Sequence, residues 1–256
     1  MDEHKVEPQS EVELLAEPQR EPVFNLPGSV LASLAILVAI YAVQTLLLSD
    51  NTIDWLFFNF GFIPLRYAAS LAEQGLQPFW TPLTYSLLHG SIEHIVFNGL
   101  WLMAFGTPVA RRIGTARYLI FWVFSSAAAA ALHLGLNWGS PAPLVGASGV
   151  ISGLMGAACR FAFPPERRPN QAAHLNPRLS VVETFRSRTV LMFIIFWFAG
   201  NILIASGVPI FGGEGQDIAW DAHIGGFLFG FLLFPLFDRA PPAQPVISEQ
   251  TETLQS

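Results

Sequence analysis

Cysteine occurs once in the 256 residues, at Cys159, so no internal disulfide can form and no cysteine-based metal cluster is available. Charge is scarce: 12% of the residues are charged against 52% hydrophobic, a balance that excludes an ordinary soluble domain. A basic tract for nucleic acid is also missing. Lys and Arg number 13 against 19 Asp and Glu, the formal net charge is -6, and the acids crowd into the tails while the bases sit between apolar runs. With no covalent staples and few ion pairs, stability has to come from packing, and the expected solvent is a lipid bilayer.

Residues 1–26 are polar and acidic and carry Glu7-Pro8, Glu17-Pro18 and Glu21-Pro22, a composition that cannot bury enough apolar surface to fold alone. They are expected to be a disordered tail, as are residues 241–256. The start lacks the basic stretch and small-residue cleavage site of a signal peptide, so the first apolar run is expected to stay in the protein. Between the tails, 27–240 read as one membrane domain with six apolar runs, at about 29–48, 82–110, 118–138, 143–159, 189–210 and 222–237. Backbone polar groups cannot go unpaired in lipid, so each run is expected to be a helix, and roughly 20 residues cross the ~30 Å hydrocarbon core. Runs four and six are short for that. The fold class expected is an all-α membrane protein, a six-transmembrane-helix bundle.

Orientation follows from the bases. Arg111, Arg112 and Arg117 join runs two and three; Arg160, Arg167, Arg168, Arg178, Arg186 and Arg188 join runs four and five. Those loops share a side with both tails, which add Lys5, Arg20 and Arg239 and leave only Arg66 opposite. Both termini are therefore expected in the cytoplasm. The outer loops carry Asp50, Asp54, Glu73, Glu214 and Asp217, and the Trp-, Phe- and Leu-rich segment 51–80 is expected to lie in the membrane interface.

Polar side chains inside a membrane are costly and by default mark function or a satisfied polar cluster. Their depth can be estimated at ~1.5 Å per helical residue. Ser148 is twelve residues from Arg160, roughly 18 Å; His223 is fifteen from Asp238, roughly 22 Å; Asn98 is thirteen from Arg111, roughly 20 Å. All three fall in one layer about 10 Å below the outer surface, with His94 a turn higher and His89 near the boundary. His133 reaches a similar height, so depth alone does not select the functional histidine.

A serine hydroxyl becomes a useful nucleophile when a neighbouring histidine takes its proton. Ser148 and His223 form the candidate pair. Gly146-Ala147-Ser148-Gly149 opens run four, Gly149 and Gly153 are four apart, and Ala222, Gly226 and Gly230 repeat every four residues on run six, spacings that let helix backbones meet. Attack on an amide also creates an oxyanion that needs donors fixed in advance. The Asn98 amide and His94 ring, four apart on one helix face, and the Ser148 N–H could supply them. No carboxylate stands where it would orient His223, since Asp221 should point elsewhere on the helix, so a dyad is expected.

These residues resemble the rhomboid family. His89-Gly90-Ser91-Ile92-Glu93-His94-Ile95-Val96-Phe97-Asn98 is similar to the family's HxxxxHxxxN on its second helix, Gly146-Ala147-Ser148-Gly149 to GxSG on the fourth, and Ala222-His223-Ile224-Gly225-Gly226 to AHxxG on the sixth. Trp80 resembles the family's loop tryptophan and Arg112-Ile113-Gly114 the end of its second helix. The resemblance spans about residues 55–237. It implies a rhomboid-type bundle with an interfacial first loop, Ser148 as nucleophile and His223 as general base. It implies an oxyanion hole of His94, Asn98 and the Ser148 amide, supported by His89, Gly146 and Gly149. No cofactor and no metal are implied. The partners implied are the bilayer and single-span membrane proteins, cleaved near the outer boundary, in a bacterial cytoplasmic membrane. Three positions depart from the pattern: Thr81 and Ala110 stand where many members have Arg and Glu, and Ser152 replaces an aromatic residue that often stacks on the catalytic histidine.

Other classes remain open to the sequence. A transporter or proton channel could use intramembrane His and Asn as a relay, but the polar groups do not continue to the cytoplasmic side and no inverted repeat is visible. A haem or metal protein would rest on His89 and His94, whose spacing of five is poor for one helix face. A catalytically dead relative that binds client helices would not need both Ser148 and His223.

Overall fold

The computed structural model describes residues 25–165, 171–206 and 219–239. The tails, apart from Asn25, Leu26 and Arg239, lie outside the described residues, as do Arg167, Arg168, Glu214 and Asp217. Helices dominate the described residues, and the extended pairing there is an isolated antiparallel bridge between Phe62 and Leu144. The longer helices are α1 (Gly28–Leu46), α2 (Asp50–Phe60), α3 (Ile92–Trp101), α4 (Thr107–Leu136), α5 (Ser148–Cys159), α6 (Arg188–Ala205) and α7 (Trp220–Leu233). Gly28–Leu46 and the stretch Ile92–Leu136 are long and apolar enough to cross a membrane, whereas α5, α6 and α7 are shorter apolar helices.

The second apolar run, expected as one helix over 82–110, is broken at its start and longer at its end. A short helix, Thr81–Thr84, and a 3₁₀ turn, Tyr85–Leu87, precede α3, which begins where the Ser91 hydroxyl caps the His94 N–H at 3.2 Å. Pro108 has no N–H for the carbonyl one turn back, and immediately before it the helix widens into a π turn, Leu102–Gly106. Helical residues then continue to Gly114, whose φ of 77° breaks α4 into 107–113 and 115–136. After this break the chain returns: Tyr118 bonds Ser33 on α1, Trp122 Nε1 donates to Ser86 at 3.1 Å, and Ser126 donates to the Pro82 carbonyl at 2.8 Å. Successive turns of 115–136 therefore run back past the segment that leads into α3.

Run four also starts later than expected, at Ser148 instead of 143, because Pro143 and the positive φ of Gly146 keep the approach extended. Every residue of α5 after Ser148 is buried, as befits a helix that is apolar all round. α5 is the centre of the molecule, and α7 and the 115–136 part of α4 pack on it. Leu102, Val109, Phe121, Leu154 and Phe231 belong to the same buried cluster.

The end of the molecule opposite Ser148 is closed by arginines. Arg160 donates to the carbonyls of Leu179 and Phe231, and Arg112 to those of His174 and Asn176. Arg112 and Arg178 both pair with Asp238, at 3.0 and 3.2 Å. Just beyond, Ser180 and Glu183 form a capping box on the helix Val181–Arg186. The Ser180 N–H and hydroxyl hold the Glu183 carboxyl below its usual range. At the other end, the segment between α1 and α3 is tied down despite Thr81 in place of an arginine. Arg66 bonds the Phe58 and Gln74 carbonyls, Trp80 Nε1 donates to the Asn59 carbonyl at 2.9 Å, and Thr84 donates to that of Phe60 at 2.8 Å.

Candidate active site

The geometry starts from backbone that carries no side chain. A Cβ on Gly226 or Gly230 would collide with the carbonyl oxygens of Gly149 and Gly153, and one on Gly156 with the carbonyl of Phe227. α5 and α7 thus touch backbone to backbone, as small residues four apart allow. That approach brings Ser148, the first residue of α5, to His223 near the start of α7. His223 Nε2 lies 2.9 Å from Ser148 Oγ. Both residues are partly exposed, so the pair is open to reactants.

Beside them stands the α3 face carrying His94 and Asn98. Gly146 has φ 117°, and a Cβ there would lie 2.5 Å from His94 Nε2 and 3.7 Å from Asn98 Nδ2. Only glycine lets the chain turn into Ser148 while lying against those two side chains. Ser148 is the first residue of α5, so its N–H has no acceptor one turn back within the helix. His89 is fully buried, with its Nε2 3.0 Å from Asn98 Nδ2. Since an amide nitrogen only donates, His89 Nε2 is the acceptor. Asn98 keeps its second hydrogen for another partner. Gln44 of α1 holds the His89 carbonyl at 2.8 Å. The structure thus brings together every site residue the sequence pointed to: Ser148, His223, His94, Asn98, His89, Gly146 and Gly149.

Two groups were not legible from motifs. His223 Nδ1 lies 3.0 Å from Oδ1 of Asn201 on α6, a residue with 5% exposure. Asp221 does point away from His223, but to a definite partner: its carboxylate meets His133 Nδ1 at 2.8 Å, the Asn137 amide, and the Ala222 N–H at 2.7 Å. His133 therefore sits in a polar cluster that pins the first turn of α7. Asp221→Ala leaves buried donors unpaired and should cost about 1–3 kcal/mol. Thermal unfolding of the purified variant, against Asp221→Asn as the milder change, checks this; equal stability of all three would rule it out. Ser152 turns its hydroxyl back to the Ser148 carbonyl at 2.8 Å.

The Ser148–His223 pair and the α3 face carrying His94 and Asn98 lie together at one end of a helical bundle, and the sequence matches the Rhomboid domain family over residues 77–239. The chain belongs to the rhomboid family. Among curated proteins it is similar to the rhomboid protease GlpG of Serratia proteamaculans, 27% identical over 206 residues, covering 79% of this chain and 60% of that one. It is also similar to rhomboid protease GlpG of Yersinia pestis, 26% identical with the same coverage. The chain thus spans about three fifths of the length of these relatives.

Proposed function

We propose that this protein is an intramembrane serine endopeptidase that hydrolyses peptide bonds in transmembrane helices near the outer membrane boundary. The observation that carries the reading is the 2.9 Å approach of His223 Nε2 to Ser148 Oγ beside His94 and Asn98. Family membership and the named relatives support it. Ser148 Oγ attacks the scissile carbonyl as its proton passes to His223 Nε2. The oxyanion is stabilised by the Asn98 amide, the His94 ring and the Ser148 N–H. The imidazolium then gives its proton to the leaving amine, and water, activated by the same imidazole, releases the acyl group. His89 braces Asn98, and Gly146 and Gly149 allow the close approaches. No step calls for a metal or cofactor.

The six spans of this reading are α1, 92–113, 115–136, α5, α6 and α7. The arginine-closed end faces the cytoplasm with both termini, and the α2-containing first loop rests in the outer interface of a bacterial cytoplasmic membrane. Support comes from the broad apolar exposure of these helices, including Leu31, Val38, Leu119, Phe124, Ile195 and Phe196, too much for a surface in water. The start of α5 at Ser148 and of α7 at Trp220 leaves the pair near helix ends, where water can reach it. Substrates are single-span proteins whose helix unwinds into that opening.

Purified protein in liposomes should cleave a single-span substrate and react with a serine-directed fluorophosphonate. Asn98→Ala should cleave about 10²–10³-fold more slowly with little change in thermal stability beyond that of losing one buried hydrogen bond. A rate equal to the parent's removes Asn98 from the oxyanion site.

A further inference from the structure

His223 has two ring nitrogens, and the second is as specifically placed as the first. Asn201 Nδ2 donates to the Trp197 carbonyl at 2.8 Å, one turn back on α6. A carbonyl only accepts, so the nitrogen of the Asn201 amide is fixed on that side and the oxygen must face His223. Oδ1 is 3.0 Å from His223 Nδ1. An amide oxygen offers no hydrogen, so Nδ1 must carry one. In the neutral ring Nε2 then holds a lone pair, 2.9 Å from Ser148 Oγ. We propose that Asn201 is a positioning residue for His223: its amide oxygen holds the imidazole in the tautomer whose Nε2 accepts the Ser148 proton.

This rests on the reading of Ser148 as nucleophile and His223 as base. The three groups come from α5, α7 and α6 and form a Ser148–His223–Asn201 line in which a carboxamide takes the orienting place often filled by a carboxylate. Ser152, one turn after Ser148, directs its hydroxyl to the Ser148 carbonyl at 2.8 Å and not to the imidazole, which leaves ring orientation to other groups. When the Ser148 proton moves to Nε2, the Nδ1 hydrogen stays in place, and Asn201 Oδ1 accepts from the cation formed. A neutral amide stabilises that cation less than a carboxylate would, so its main contribution is orientation and choice of tautomer.

The test compares Asn201→Leu, which matches the amide in size without an acceptor, with Asn201→Asp, which keeps an oxygen acceptor but introduces a charge. Orientation requires the Leu variant to lose about 10- to 100-fold in kcat, the scale of lost orienting partners, with KM within about twofold. It also requires the Asp variant to be faster than the Leu variant. A packing role requires the opposite order, since leucine fills the site and a buried carboxylate disturbs it. Rates of fluorophosphonate labelling, which need no substrate helix, should follow the kcat order, and Asn201→Ala is the smaller replacement should Asn201→Leu not fold. A non-accepting variant with parental kcat, or one faster than the Asp variant, overturns the proposal. Ser148→Ala is run alongside: if it still cleaves, the reading of Ser148 as nucleophile has failed, independently of Asn201.

Discussion

Ser148→Ala should abolish both substrate cleavage and fluorophosphonate labelling, a loss of about 10⁴-fold or more, because no other group can form the acyl intermediate. His223→Ala should fall as far, and the double variant no further, since nucleophile and base act as one unit. Stability should hardly change. Ser148 is the first residue of α5 and only partly buried, and its hydroxyl bonds the His223 ring. An unfolded Ser148→Ala protein would mean that the residue is structural. A folded one that cleaves at the parental rate would dispose of the mechanism. The residual rate, if measurable, reports the donors alone.

Gly226→Val has the second large effect, and it reaches the chemistry through the backbone. A Cβ at 226 meets the Gly149 carbonyl oxygen, its carbon and then its Cα at 3.4 Å, none of which can swing aside. The helices must part, at a cost of about 1–3 kcal/mol or more for such overpacking, and parting separates Ser148 from His223. Labelling should drop at least tenfold even in the folded fraction. Gly135→Ala is the matching control. A Cβ there meets nothing within 4 Å, so replacing a helical glycine should be neutral or stabilising by about 0.5–1 kcal/mol. Should Gly226→Val label as fast as Gly135→Ala, the direct helix contact does not set the reactive distance.

The sequence was informative where chemistry and local pattern coincide. Gly146, Ser148, Gly149, Gly226 and Gly230 lie on short stretches whose small residues announce close approach, and His89, His94 and Asn98 share one segment. Composition was a poorer guide to where helices stop. It ended run two at Ala110, whereas the helical backbone runs on to Gly114, because arginines can prolong a helix as readily as leave it. Arg112-Ile113-Gly114, as a motif, marked the true end. Pro143 counted as apolar and drew run four forward of its start at Ser148.

Asn201 escaped for a different reason. It sits among apolar residues on a run with no motif, and an amide is a less familiar partner for an imidazole than a carboxylate. The depth count would have found it: Asn201 is thirteen residues from Arg188, roughly 20 Å along a straight helix, level with Ser148 and Asn98. The pairing of Asp221 with His133 is 88 residues apart in sequence, and nothing local in either segment names the other.

The arginine-closed end bears on how finely the distant reaction is tuned. Arg160 fastens the foot of α5 to the Phe231 carbonyl of α7, and the glycine contacts at 156, 230 and 226 keep the two backbones together from there up to the hydroxyl and imidazole. A displacement of about 1 Å at the reacting groups can slow a reaction about 10²-fold, so two helices clamped along this whole length hold the reactive distance against strain imposed by lipid or by an arriving helix.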